Sequence, residues 1–299
     1  MDLRRIRHFV TLAETLNFRR AAERLHMAQP PLSVSIQKLE AELGAKLFTR
    51  ESTGVALTPS GRAVLVEAKK LLFHGAQLSE TAKSALDGTG GTLHIGFVGS
   101  ASYGMLQKLL PLFRAAYPGV ELVLREATSV AIMQQLEDRS LDIGLVRVPL
   151  LQSSKATLVP LERDHYIAAL PCGNELADQV PMKLADMRDE PFVMYAPTHA
   201  AGLYTTAMLA CQMAGFIPHI AQQAVQVQTV LALVESGLGV ALVPSVMKRF
   251  AREKIVYRAL VDVPAEAQIG LSLAYMADTE SVSASLFRKV ALAAFSDSQ

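Results

Sequence analysis

Residues 17–44 read NFRRAAERLHMAQPPLSVSIQKLEAELG, and their spacing decides the fold of the N-terminal part of the chain. Asn17 is a helix-capping residue type, because its side-chain oxygen can accept one of the orphan first-turn N–H groups. Phe18, Ala21, Ala22 and Leu25 follow at helical spacing and predict a short helix. His26–Gln29 reads as a tight turn. Pro30 and Pro31 fit the first turn of a second helix, where a missing N–H has no intrahelical partner to lose. Leu32, Ile36, Leu39 and Leu43 then recur at offsets of four, three and four, and Gly44 ends the run. The opposite face carries Ser33, Val34, Ser35, Gln37 and Lys38. Two short helices across a tight turn, the second presenting small polar groups, make a helix-turn-helix.

Upstream, Leu3, Ile6, Phe9, Val10 and Ala13 mark a preceding helix. Downstream, Lys46–Arg50, a polar turn Glu51–Gly54 and Val55–Leu57 read as a hairpin, the wing of a winged helix. Residues 1–62 hold ten Lys/Arg against six Asp/Glu, and the remainder 19 against 22. A net charge of +1 excludes a uniformly basic nucleic-acid coat but not a basic head on an acidic body.

The whole chain has 299 residues, 51% of them hydrophobic and 19% charged, which excludes a disordered or fibrous protein. Cys172 and Cys211 form no CxxC pair, so neither a disulfide scaffold nor a cysteine zinc site is supported. The N-terminus MDLRRIRHF carries charge where a secretory segment needs an apolar run. Apolar stretches such as 230–234 and 240–243 are far too short to cross a membrane. A reduced, cytoplasmic location is expected, with no membrane association.

Thr58 as cap and Pro59 as first residue start a long helix, expected to reach Leu86 before the breaker DGTGG at 87–91. Within it Val64, Leu71, Leu78 and Ala85 recur every seven residues, with Ala68, Gly75 and Ala82 four after each of the first three. That is an a/d seam with small residues allowing close approach, so Val64, Ala68, Leu71, Leu78 and Ala82 are expected to form a dimer contact. Packing on the chain's own body is the alternative, disfavoured because a stem between domains has little body beside it. Beyond the stem, strand-like segments (92–98, 120–125, 142–146, 166–170, 192–195, 240–243, 271–275) alternate with helical ones (105–116, 130–137, 205–214, 227–236). The alternation implies α/β architecture with largely parallel sheets, in one large domain or two small ones.

The stretch FVTLAETLNFRRAAERLHMAQPPLSVSIQKLEAELGAKLFTRESTGVALTPSG resembles the N-terminal domain of the LysR-type transcriptional regulators. The resemblance covers Leu3 to Gly61 closely and extends through LHIGFVGS and ALVESGLGVALVPS nearly to the end. GFVGS further resembles the subgroup that answers to aromatic-degradation intermediates of the muconate and benzoate type. The resemblance implies a winged helix-turn-helix over 1–58, a linker and dimerisation helix over 59–87, and an effector-binding domain over 88–299. That last domain would comprise two Rossmann-like subdomains of periplasmic-binding-protein type, I (88–164 and 267–299) and II (165–266). The family commonly has Arg then Gln after the Ser of its recognition helix; here Val34 and Ser35 follow Ser33, so no guanidinium fork can read a guanine edge there.

The expected partner of the head is double-stranded promoter DNA. Gln29, Pro30, Pro31 and Ser33 should lie nearest the bases, with Ser35 and Lys38 on the same helix. Thr53 and Arg50 on the wing, and Arg4 and Arg5 near the N-terminus, complete the interface, the arginines on phosphates. In the body, Gly99, Ser100 and Ala101 follow one buried strand and Thr128 and Ser129 another, each opening a helix, so their N–H and hydroxyl groups can hold an anion. These positions match effector-contacting positions of the subgroup. Arg147 is a candidate counter-charge, or else a member of a surface ion pair. The loop 196–203, with Thr198, His199, Gly202 and Leu203, faces them as the counterpart of a family effector loop, with smaller side chains.

No GxSxG, HExxH, GxGxxG or GxxxxGK[ST] occurs, and the histidines show no metal spacing, so no enzyme, cofactor or metal is expected. A redox role for the two cysteines stays open, although both lie in apolar surroundings. The reading is a DNA-binding regulator controlled by a small carboxylated or aromatic effector, dimeric through the linker helix and tetrameric, with RNA polymerase a further partner. The alternative is a small-molecule-binding protein whose winged helix contacts protein instead of DNA.

Overall fold

The computed structural model of the chain describes residues 2–51, 54–87, 91–249 and 252–296. Two compact units result: 1–90 together with 138–140, and 91–137 together with 141–299.

In the first unit α1 is Leu3–Thr15, capped by the Asp2 carboxylate, which accepts from the Arg5 N–H at 2.7 Å. Helix α2 is Phe18–Arg24, where Asn17 Oδ1 accepts from the Arg20 N–H at 3.1 Å. Helix α3 spans Gln29–Leu43 and ends at Gly44, whose φ of +65° is one that glycine tolerates. Gln29 is already helical, not part of the turn; packing overrides the extended bias of a residue before proline. Phe9, Leu12, Ala21, Leu32, Leu39 and Leu47 are completely buried where the helices meet.

Strands β1 (Phe48–Glu51) and β2 (Gly54–Leu57) pair antiparallel from Phe48↔Leu57 to Glu51↔Gly54, so Glu51 and Gly54 are strand residues and not a turn. The Glu40 carboxylate fastens this wing to α3: Oε1 accepts from the N–H groups of Leu47 (2.9 Å) and Phe48 (3.3 Å), and Oε2 from Lys46 Nζ (2.8 Å). Helix α4 spans Pro59–Asp87, started by Thr58, whose Oγ1 accepts from the Gly61 N–H at 2.8 Å.

Helix α4 corrects the expectation for its small residues. Ala68 is 4% exposed inside the core of its own chain, with Val64 packed against that core. A Cβ on Gly75 would sit 3.0 Å from Leu3 Cδ1 of α1. The close approach that these residues allow therefore serves α1 of the same chain. Leu71 and Leu78 remain 38% and 75% exposed. Side chains at Ala82 and Ala85 lie outside the described residues.

The body begins with β3 (Gly91–Phe97), a short 3-10 turn over Gly99–Tyr103, α5 (Met105–Ala116), β4 (Val120–Glu126), α6 (Ser129–Glu137), β5 (Ile143–Val148) and β6 (Thr157–Asp164). It continues with β7 (Tyr166–Pro171), β8 (Pro191–Tyr195), α7 (Ala201–Met213), β9 (His219–Ala224), α8 (Val227–Glu235), β10 (Ala241–Pro244) and β11 (Ile255–Ala259). Strand β12 (Ile269–Tyr275) and α9 (Val282–Phe295) close it. One sheet has the order β4-β3-β5-β12-β6; the others are β10-β7-β11 and the pair β8-β9. Each side has its own core, one around Ile95, Ile143, Leu273 and Phe287, the other around Tyr166, Phe192, Val230 and Val243.

The sheets are mixed rather than largely parallel. Strand β3 runs parallel to β4 and β5, and β8 to β9, but β12 is antiparallel to β5 and β6, and β7 to β10 and β11. Antiparallel β12 is the chain's return into the first sheet. Strands β6, β9 and β11 have no apolar run to announce them, since most of their residues stay at least partly exposed. No described helix is long and apolar enough to cross a membrane.

Candidate functional site

Two faces carry the predicted chemistry, one in each unit. On α3, Gln29, Pro30, Pro31, Val34, Gln37 and Lys38 are exposed and Ser33 is half-buried, while Leu32, Ile36 and Leu39 face the core. The N-terminal end of a helix in this position is what enters the major groove. Ser35 is turned away from that face: its Oγ shares a 2.7 Å hydrogen bond with Nδ1 of the buried His8 on α1. Burial, reinforced by Arg4 and Arg7, holds the His8 imidazole below its ordinary pKa, so it joins the bond uncharged at neutral pH. Val34 takes an outward position instead, and its methyl groups suit contact with a thymine methyl.

The flanking arginines divide. Arg4 is exposed, but Arg5 is half-buried in ion pairs with Glu42 and Asp2, which neutralise it within the head. Arg50 lies in β1, although its side chain is outside the described residues, as is the whole of Thr53.

In the body a cleft of about 130 Å³ is lined by residues from both core sides. Its floor is set by three helix starts. Thr128, Ser129 and Val130 open α6, Ala201 to Leu203 open α7, and Gln226 and Val227 open α8, and all of them line the cleft. Thr128 Oγ1 accepts from the Ala131 N–H at 3.2 Å and so caps α6. Helices α7 and α8 have no side-chain cap and no acidic residue in the first turn, so their leading N–H groups point a partial positive charge at the cleft. Gly202 lets α7 come this close: a Cβ there would fall 1.9 Å from the Pro149 carbonyl oxygen on the opposite wall.

Arg147, 5% exposed, sits beneath Ser100 and lines the cleft. Its Nη1 donates to Asp164 Oδ2 at 2.9 Å and its Nη2 to Ser100 Oγ at 2.8 Å. Asp164 Oδ1 accepts from the N–H of His165 (2.8 Å), the N–H of Ser245 (3.0 Å) and the Ser245 hydroxyl (2.6 Å). Asp164 ends β6 in the first sheet, and Ser245 follows β10 in the second, so this chain of bonds ties the two sides together. Ser129 Oγ accepts from the Arg147 N–H at 3.0 Å. Arg147 forms an ion pair, but a buried one and not the surface pair expected as its alternative, and a guanidinium so paired is a poor free counter-charge.

Most of the cleft residues expected from sequence meet here: Gly99, Ser100, Thr128, Ser129, Arg147, His199, Gly202 and Leu203. Two do not. Ala101 is fully buried and packs in the core of the first sheet instead of lining the cleft. Thr198 is exposed off the cleft, its Oγ1 bonded to His199 Nδ1 at 2.7 Å. The sequence reading missed Gln226, Val227, Met133, Glu137 and Pro149. For Gln226 a signal existed, since it precedes the recognised helix at 227 just as Thr128 precedes its own. Cys211 is buried and its thiol is pushed up to about 12 by that burial, so it stays protonated and unreactive.

Comparison with known proteins follows this geometry. The family model "Bacterial regulatory helix-turn-helix protein, lysR family" matches residues 3–62, and "LysR substrate binding domain" matches 86–296. The HTH-type transcriptional regulator AlsR of Bacillus subtilis is 35% identical over 90% of this chain and 88% of its own. The HTH-type transcriptional regulator IlvR of Caulobacter vibrioides is 38% identical over 88% of this chain and 89% of its own. Among solved structures, that of CbnR, a LysR family transcriptional regulator, superposes with a TM-score of 0.80 at 23% identity, covering 99% of both chains, and shows the same fold.

Proposed function

The chain belongs to the LysR family of bacterial helix-turn-helix transcriptional regulators, and from that premise we propose that a small carboxylated or aromatic effector bound in the cleft of its body controls how its head holds promoter DNA. It is a regulator and not an enzyme. The observation that carries the effector reading is the convergence of the starts of α6, α7 and α8 on one cleft beneath Ser100. Helix N-termini present N–H groups and a favourable potential to an anion, and a carboxylate is the commonest small organic anion that fits. Val130, Met133, Leu150 and Leu203 supply apolar wall for a ring or chain beside it. A carboxylate beside an apolar ring also describes aromatic acids of the benzoate type, whereas the dicarboxylate muconate does not follow from this cleft.

At the head, Gln29, Pro30, Pro31, Ser33 and Val34 read base edges, Lys38 and Arg4 meet phosphates, and Arg50 and Thr53 do so from the wing. Leu71 and Leu78 form the dimer contact, dimers pair into a tetramer, and RNA polymerase is engaged from the bound promoter. Closure of the cleft shifts the assembly only as far as the ligand prefers the closed form.

Titration calorimetry of the full chain against a panel of aromatic acids, aliphatic acids and matched uncharged amides tests the reading. Acids should bind and their amides should not. Equal binding of acid and amide rejects an anion site at the helix starts.

A further inference from the structure

The cleft is not uniform along its length. Helix α6 contributes Ser129, Val130, Met133 and Glu137, which share one stripe of the helix by spacing and all line the wall. The adjacent stripe, Ile132 and Leu136, is buried in the core together with Met133, which fixes the helix's rotation. The cleft therefore runs along α6 from its N-terminus to its C-terminus, about 12 Å apart at 1.5 Å per residue. The first end has the converging N–H groups of three helices. The last has the negative end of α6 and, added to it, the Glu137 carboxylate.

The charge balance sharpens the contrast. Besides His199, the acidic or basic side chains of the lining are Glu137 and Arg147, and Arg147 is paired with Asp164. Glu137 Oε1 accepts from Ser154 Oγ at 2.7 Å and from the Lys155 N–H at 3.2 Å, which orient the carboxylate. Both bonds fall on one oxygen, so Oε2 keeps its acceptor capacity. Val130, Met133, Leu150 and Leu151 form an apolar part of the wall, beside the polar Gln134, Gln152 and Ser153.

Resting on the cleft as the effector site, we propose that it selects a monocarboxylate carrying a hydrogen-bond donor, a hydroxyl or ammonium group, at its other end, and that Glu137 is the residue that recognises this donor and rejects dicarboxylates. A second carboxylate would be brought against Glu137 in a partly dry wall, where like charges repel far more than in water. A donor there completes a charge-assisted hydrogen bond.

The test uses the full-length protein, calorimetry and four probes of one shape: phenylacetate, para-hydroxyphenylacetate, para-(aminomethyl)phenylacetate and para-phenylenediacetate. Glu137→Gln keeps an acceptor oxygen for Ser154 and Lys155, and its melting curve should match the parent's. The parent should bind a donor-bearing probe about tenfold or more tightly than phenylacetate, and the diacid most weakly. In Glu137→Gln the diacid should gain about tenfold and the ammonium probe lose its advantage. The hydroxyl and ammonium arms separate the two donors. A diacid that binds the parent as tightly as the donor probes, or an order of affinities unchanged in Glu137→Gln, overturns the role of Glu137 while leaving the carboxylate site standing. Failure of all four probes to bind overturns both.

Discussion

Arg147 Nη2 donates to Ser100 Oγ at 2.8 Å, so the hydroxyl facing the cleft is held as an acceptor and its proton is left to point at a ligand. Ser100→Ala removes an acceptor from a buried guanidinium, which costs about 1–3 kcal/mol. The variant should lower the denaturation midpoint of the body and weaken binding of a cognate acid, with effector-free DNA binding unchanged. Ser100→Thr keeps the oxygen and should restore most of the midpoint. A midpoint and an affinity both equal to the parent's would show that the bond is not maintained in solution.

Gly202→Ala places a methyl where the Pro149 carbonyl oxygen now sits, 1.9 Å away. Helix α7 must then retreat from the opposite wall, opening the cleft. Affinity for the acid should fall at least about tenfold, equivalent to about 1.4 kcal/mol. Calorimetry reads this directly, and unchanged affinity means that the contact opens freely.

Gln29→Ala should cost about 1–3 kcal/mol on DNA selected by the protein from a random pool, and little on unselected DNA. Lys38→Ala should weaken both equally and lower the salt slope by about one unit. Gel shifts at several salt concentrations distinguish them. A Gln29→Ala loss that is the same on both DNAs would remove the base-reading role.

The two kinds of residue on α4 should separate by experiment. Leu71→Glu puts a charge on an exposed apolar position and should dissociate dimers, as sedimentation would show. Ala68→Leu instead overpacks the chain's own core and should cost about 1–3 kcal/mol of head stability. Assembly unaffected by Leu71→Glu would place the dimer contact elsewhere.

Burial raises the Glu40 pKa, but hydrogen bonds from Lys46 and from the N–H groups of Leu47 and Phe48 outweigh it and hold the carboxyl below its ordinary 4.5. A lowered folded-state pKa stabilises fully above the ordinary value and loses that contribution as pH falls through the folded value. The head should therefore keep its denaturation midpoint from neutrality down to the ordinary value and lose it below, while Glu40→Gln should start lower and show a flatter acid limb. An identical acid limb in the two proteins would refute the assignment.

The sequence alone determined what is local and periodic. Asn17, Thr58 and Gly44 end or begin helices through bonds that each makes with residues a few positions away, and Leu32, Ile36 and Leu39 fix which face of α3 is left for DNA. The strand-to-helix turns at Gly99 and Thr128 were legible for the same reason. Tertiary structure decided everything that depends on which distant side chain arrives. A heptad pattern cannot tell a partner's helix from the chain's own α1, and Ala68 went to the latter. Ser35 was assigned outward by its chemistry but is drawn inward by His8, 27 positions away. For Arg147 the sequence leaves a counter-charge and an ion pair open, and Asp164 at the end of β6 decides for the pair. Hydrogen bonds and ion pairs are short-ranged and saturable, so a polar residue's availability is set by its nearest partner in space, which periodicity does not encode.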